Sequence, residues 1–148
     1  MRSVLQLGLL ALILTACSPN LAPLYQDYEV TASNEAAPLQ ERIAAALSEA
    51  GWTPSEAPTA NVIGTETRTL SNWGLYSVEV DLEVTPIGTD HVRILVHPYR
   101  KYFTGARSKI PFMRSSLRRQ VLKDLEQAFV SQGLTLQGDS LERDGVTR

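Results

Sequence analysis

Along residues 75–85 apolar and polar side chains alternate from Tyr76 onward, with Tyr76, Val78, Val80, Leu82 and Val84 on one side and Ser77, Glu79, Asp81, Glu83 and Thr85 on the other. A period of two over that length predicts a strand with one buried and one wet face. Residues 91–99 continue the pattern, with Val92, Ile94 and Val96 on the apolar face and His91, Arg93, Leu95 and His97 on the polar one. Residues 61–70 have strand composition as well. The two breaks, Ser71-Asn72-Trp73-Gly74 and Pro86-Ile87-Gly88-Thr89-Asp90, each carry a glycine and hairpin chemistry. Residues 24–31, LYQDYEVT, form a further candidate strand. A register pairing Val84 with Val92 sets Glu83 opposite Arg93 and Glu79 opposite His97, each pair contributing roughly 0.2 to 1 kcal/mol.

The period changes twice along the chain. Leu39, Ile43, Leu47 and Ala50 fall at offsets 0, 4, 8 and 11, which predicts a helix over residues 34–50. Asn34 can cap it, Pro38 is tolerated in its first turn, and Gly51 stops it. Leu117, Val121, Leu125 and Phe129, every fourth residue with Leu122 beside them, predict a second helix over about residues 111–132 that ends at Gly133. Burying all these faces gives an α+β fold, an antiparallel sheet of three to four strands with two helices packed on one face. A chain of 148 residues with 43% apolar content supports one such core and not two. The domain is expected over residues 24–137, and the polar residues 138–148, which show no period, are expected to fray. Trp52 and Trp73 each adjoin a glycine at an element end and are expected to plug the ends of the core.

The amino terminus changes the setting. Residues 1–16 carry one charge, Arg2, then an apolar run too short to cross a bilayer, which takes about 20 residues. Such a layout is that of a signal peptide. Its end, Leu14-Thr15-Ala16-Cys17, resembles the lipobox of bacterial lipoproteins. The resemblance implies a diacylglyceryl group on the Cys17 thiol, cleavage before Cys17, and a palmitate-type N-acyl chain on the new amino terminus. Two or more acyl chains hold a protein firmly to a bilayer. Residues 17–23, with Pro19 and Pro23, then form a tether. Ser18, where aspartate favours retention at the inner membrane, implies the outer membrane of the cell envelope, facing the periplasm. Cys17 is the sole cysteine, so the monomer forms no disulfide and no thiolate metal site, and no cofactor beyond the lipid is expected. The element order, lipid anchor, strand, helix, three strands, helix, is similar to that of the lipoproteins that plug the lipopolysaccharide translocon. That likeness lies in architecture alone and implies a part in envelope assembly.

The net charge of −2 conceals a segregation. Residues 21–90 hold 2 basic and 11 acidic side chains, and residues 91–123 hold 9 basic and none acidic. The candidate partner-binding set is Arg100, Lys101, Arg107, Lys109, Arg114, Arg118 and Arg119. Interleaved with Tyr99, Tyr102 and Phe103, these suit a nucleic-acid backbone, but a lipid-anchored exported protein does not normally meet nucleic acid. The remaining partners are the membrane itself, through the anchor, and lipopolysaccharide, anionic lipid or an outer-membrane protein. The alternative is a structural lipoprotein whose cations only neutralise Glu79, Asp81 and Glu83. Arg114, Arg118 and Arg119 lie in the N-terminal half of their helix, against the macrodipole. The loop of residues 99–109, with Thr104, Gly105 and Ser108, reads either as an anion pocket or as an ordinary connection. No catalytic motif is present, and no catalytic residue or metal ligand is assigned. His91 and His97 stand about 20 Å apart along a strand, too far to share one metal. A hydrolase using His97 as a base is the remaining enzymatic alternative.

Overall fold

The computed structural model describes residues 24–31, 37–56, 61–111, 113 and 115–139. Cys17, the tether, Asn34, Arg114 and the tail after Asp139 lie outside them. In chain order the elements are β1 (Leu24–Val30), α1 (Leu39–Glu49), β2 (Pro54–Glu56), β3 (Ile63–Thr65), β4 (Arg68–Asn72), β5 (Tyr76–Ile87), β6 (His91–Tyr102), β7 (Arg107–Lys109), α2 (Ser115–Ser131) and β8 (Leu134–Asp139).

The alternating segments build a two-stranded ribbon, β5 and β6, of 12 residues each. At about 3.3 Å per residue it is roughly 40 Å long. Shorter strands flank it in pairs set end to end. β3 and β4 share one edge of β5, while β1 and β7 share one edge of β6. Pro98 explains the second division. Its carbonyl accepts from the Ile110 amide at 2.9 Å on that edge, so its missing N–H falls in the gap between β1 and β7. With β2 on β3 and β8 on β1, the sheet is antiparallel and eight-stranded.

The expected sheet of three to four strands is therefore wrong, although the class remains α+β. β2, β3 and β7 have three residues each, too few to display a period. The single strand expected over residues 61–70 is interrupted at Glu66 and Thr67. Gly138 and Asp139, assigned to a fraying tail, end β8. The expected register is also corrected: Val84 pairs with Ile94, because β5 runs on through Pro86 and Ile87 and leaves three residues for the turn. Pro86 is tolerated there since the β3 pairing has ended at Val84. A shift of two keeps every side chain on its face and changes every partner. Glu79 now stands opposite Tyr99, and Asp81 opposite His97.

Both helices and the apolar face of the sheet enclose one core. Val80, Leu82, Val84, Val92, Ile94 and Val96 meet Ile43, Ala46 and Leu47 of α1 and Val121, Leu125 and Phe129 of α2. Each helix ends at a glycine in the left-handed region, Gly51 at φ 77° and Gly133 at φ 74°. α2 starts at Ser115, later than the expected residue 111, and α1 follows Pro38 with no side-chain cap. Trp52 is buried in the core as expected, but Trp73 is 56% exposed and plugs nothing.

Tyr28 on β1 is fully buried, its ring 4.8 Å from that of Phe129, and its hydroxyl donates to the Gln26 side chain at 3.0 Å. Burial, and behind it the charges of Glu126 and Asp139, pushes its phenol far above the ordinary range. Below about pH 10 the phenol is protonated folded or unfolded. Above it the unfolded chain loses a proton that the folded chain keeps, so stability falls as pH rises. In an alkaline titration followed by tyrosinate absorbance, one of the five tyrosines is expected to ionise only as the protein unfolds. Tyr28→Phe is expected to abolish that late step; a late step that survives the substitution would assign it elsewhere.

Candidate functional site

The basic stretch folds as the far half of β6, a tight turn, β7 and the start of α2. What was expected as a loop over residues 99–109 is a hairpin, pairing Tyr99 with Lys109, Arg100 with Ser108 and Lys101 with Arg107. Gly105 takes φ 84°, its amide donates to the Tyr102 carbonyl at 2.9 Å, and the Tyr102 amide donates to the Ala106 carbonyl at 2.9 Å. These turn amides are consumed within the hairpin and do not line an anion pocket.

Strand geometry sends neighbouring cations to opposite faces. Lys101 and Arg107 lie on the open face of the sheet, where Glu79 is 6% exposed. Lys101 Nζ lies 3.1 Å from one Glu79 carboxylate oxygen and Arg107 Nε 3.4 Å from the other, while Arg107 also donates to Asp81 at 3.3 Å. The Arg107 guanidinium rests 4.3 Å above the Tyr99 ring. Further along the same face His97 Nε2 lies 3.4 Å from Glu83. Arg93 grips Asp27 through two bonds of 2.7 and 2.8 Å and covers the Tyr25 ring at 4.9 Å. Charges segregated along the chain are thus interleaved in space, because the acidic strand β5 lies beside the basic strand β6.

The other predicted residues are elsewhere. Arg100 is on the helix side of the ribbon, beyond the helices, 5.3 Å over the Tyr76 ring. Hydrogen bonds from Ser108 and then Arg100 hold the Tyr102 phenol below its usual range. Lys109 is exposed at the end of β7. Arg118 and Arg119, in the first turns of α2, line an open hollow of about 400 Å³ together with Gln26, Glu126 and Asp139. The ion pairs among the described residues do not include Arg100, Lys109, Arg118 or Arg119. The seven candidates therefore do not form one patch, and Arg114 lies outside the described residues.

The ribbon ends in two adjacent turns, of which the break at residues 71–74 was expected and the hairpin turn after Tyr102 was not. Tyr76 pairs with Tyr102, so the β4–β5 turn and the β6–β7 turn lie side by side, linked by the Phe103 amide donating to the Leu75 carbonyl at 3.4 Å. Trp73, Leu75 and Phe103 project there, 56%, 72% and 82% exposed. The available signal was a large apolar residue beside or near a turn glycine in each break. Behind Phe103 an open hollow of about 460 Å³ is lined by Thr69, Ser77, Glu79, Lys101 and Tyr102. A second, of about 340 Å³, lies between Asp27, His91, Arg93 and Gln137. His97 lines neither of these nor the hollow beside Arg118.

Among the described residues no group of three or more His, Cys, Asp or Glu side chains is placed to hold a metal ion. No helix among them is long and apolar enough to cross a membrane. No protein-family model matches the chain, and no curated protein matches it in sequence.

Proposed function

We propose that the chain is a non-catalytic lipoprotein of the bacterial envelope, anchored through Cys17, that serves as a binding or assembly module. Arg100, Lys109, Arg118 and Arg119, with Arg114, contact an anionic envelope partner. The observation that carries this reading is the division of the nine cations in residues 91–123. Arg93, Lys101 and Arg107 are taken up by Asp27, Glu79 and Asp81, and four of the predicted residues have no such ion pair among the described residues. Internal neutralisation, the structural alternative, accounts for Lys101 and Arg107 and does not account for those four, of which Arg100 instead covers the Tyr76 ring. Guanidinium groups match phosphate and carboxylate oxygens with a fixed two-pronged geometry.

Replacing Arg100, Lys109, Arg118 and Arg119 by glutamine is expected to weaken binding to lipopolysaccharide or anionic lipid at low salt while leaving the melting temperature unchanged. Binding equal to that of the parent would sink the docking reading. Cys17→Ser is expected to move the protein from the membrane to the soluble fraction, which tests the anchor separately.

A further inference from the structure

We infer that the two-turn end of the ribbon, carrying Trp73, Leu75 and Phe103, seats in the headgroup layer of the same bilayer that holds the acyl chains of Cys17. The inference rests on the anchored-lipoprotein reading for those chains and names anionic lipid as a partner of the domain.

Of the five large apolar side chains that the described residues expose, three stand on these two neighbouring turns. Such a cluster marks a contact surface. Of the four cations in residues 99–109, Lys101 and Arg107 are held by Glu79 and Asp81, while Arg100 and Lys109 are in no ion pair among the described residues. Arg100 and Lys109 lie a few strand positions behind the apolar end, at the depth where anionic headgroups meet a seated protein. Trp73, Tyr76 and Tyr102 are of the types that favour this boundary.

Part of the turn backbone is paired within the protein. The Trp73 amide donates to the Tyr76 carbonyl at 2.9 Å and the Gly74 amide to the Asn72 side chain at 3.0 Å. With the hairpin bonds of Tyr102, Phe103 and Gly105, five amides at this end are already paired within the protein, which lowers the cost of leaving water. The indole N–H of Trp73 donates to Ser71 at 3.0 Å. A specific protein interface takes about 800 Å² from each partner, more than three side chains on two narrow turns supply.

Chain direction supplies an independent argument. β6 runs toward the turns and β1 runs antiparallel to it, so the chain enters β1 from the turn side, at Leu24 opposite Val96. Val96 stands seven residues before Phe103, about 23 Å at strand rise. The tether from Cys17 to Pro23 has seven residues and spans at most about 25 Å. The acyl chains and the apolar turns therefore reach one plane without distortion of the domain.

The test uses the full-length protein reconstituted into phosphatidylcholine vesicles containing phosphatidylglycerol and brominated acyl chains. Of the two tryptophans, Trp52→Phe leaves only Trp73, whose emission is expected to shift to the blue and be quenched. Trp73→Phe leaves the buried Trp52 and is expected to show no quenching, and comparison with the parent gives the same answer if Trp52→Phe folds poorly. Leu75→Ser and Phe103→Ser, both at exposed positions, are each expected to weaken partitioning of the unacylated chain by on the order of tenfold. Mass analysis of the Cys17 peptide reads the anchor on its own. An acylated protein whose Trp73 emits as it does in buffer overturns the seating and leaves the anchor standing. An unacylated protein whose Trp73 is still quenched supports the seating and removes the anchor.

Discussion

Alanine at both Lys101 and Arg107 is expected to lower stability by about 2 to 3 kcal/mol, and adding Glu79→Leu is expected to restore most of the loss. The cost does not come from the cations, which are 49% and 41% exposed and regain water when freed. It comes from Glu79, whose side chain is 8% exposed and would keep a carboxylate among strand neighbours with neither cation beside it. Removing that carboxylate removes the penalty, so the three substitutions are strongly non-additive. In a domain of this size the double substitution should lower the melting temperature by roughly 8 to 12 °C. Additive costs, with the triple variant the least stable of all, would show that Glu79 is well solvated in the protein.

Arg42→Met is expected to cost about 2 kcal/mol or more, although it keeps an unbranched apolar stem. Arg42 lies on α1 and is 7% exposed. Its Nε donates to the Gln132 carbonyl at 2.9 Å and its terminal amine reaches the same oxygen. That carbonyl follows the last turn of α2, where the helix macrodipole adds to the attraction for a cation. Methionine leaves a partly buried carbonyl without its charged donor, and Arg42→Lys should recover part of the loss. Denaturant unfolding measures the cost, and hydrogen exchange should show α2 fraying first at Ser131. A neutral result for Arg42→Met would mean that water replaces the guanidinium at little cost.

How far the fold could be read from the chain follows from which residues carry a period. β5 and β6 alternate over long runs, and both helices repeat apolar residues every three or four, so element type and buried face were legible. Register was not, because a shift of two residues leaves the pattern of Val84, Val92 and Ile94 equally satisfied. β2, β3 and β7 lacked the length to show any period. Arg42 precedes Ile43 in an amphipathic helix and reads as a surface residue, since its partner lies 90 residues away. In the candidate site, Arg100 and Lys101 are adjacent in sequence and belong to opposite faces. The strand period extends through both, but a strand ended at Tyr99 hides it. Trp73 was correctly placed beside a turn; that the turn projects beyond both helices depends on the full length of the ribbon, which no local pattern states.

Pro98 has a consequence for neighbouring copies of the molecule. At high local density a long open strand edge invites zipping into sheets that span molecules. By interrupting hydrogen bonding along β6, Pro98 divides that border of the ribbon into two docking lengths. The segment docked toward the turns, Arg107-Ser108-Lys109, is three residues long, exposed throughout and carries two positive charges. Arg107 is held by Glu79 and Asp81, and Lys109 is in no ion pair among the described residues, so like charge at Lys109 opposes the alignment of two such margins and keeps crowded ribbons separate.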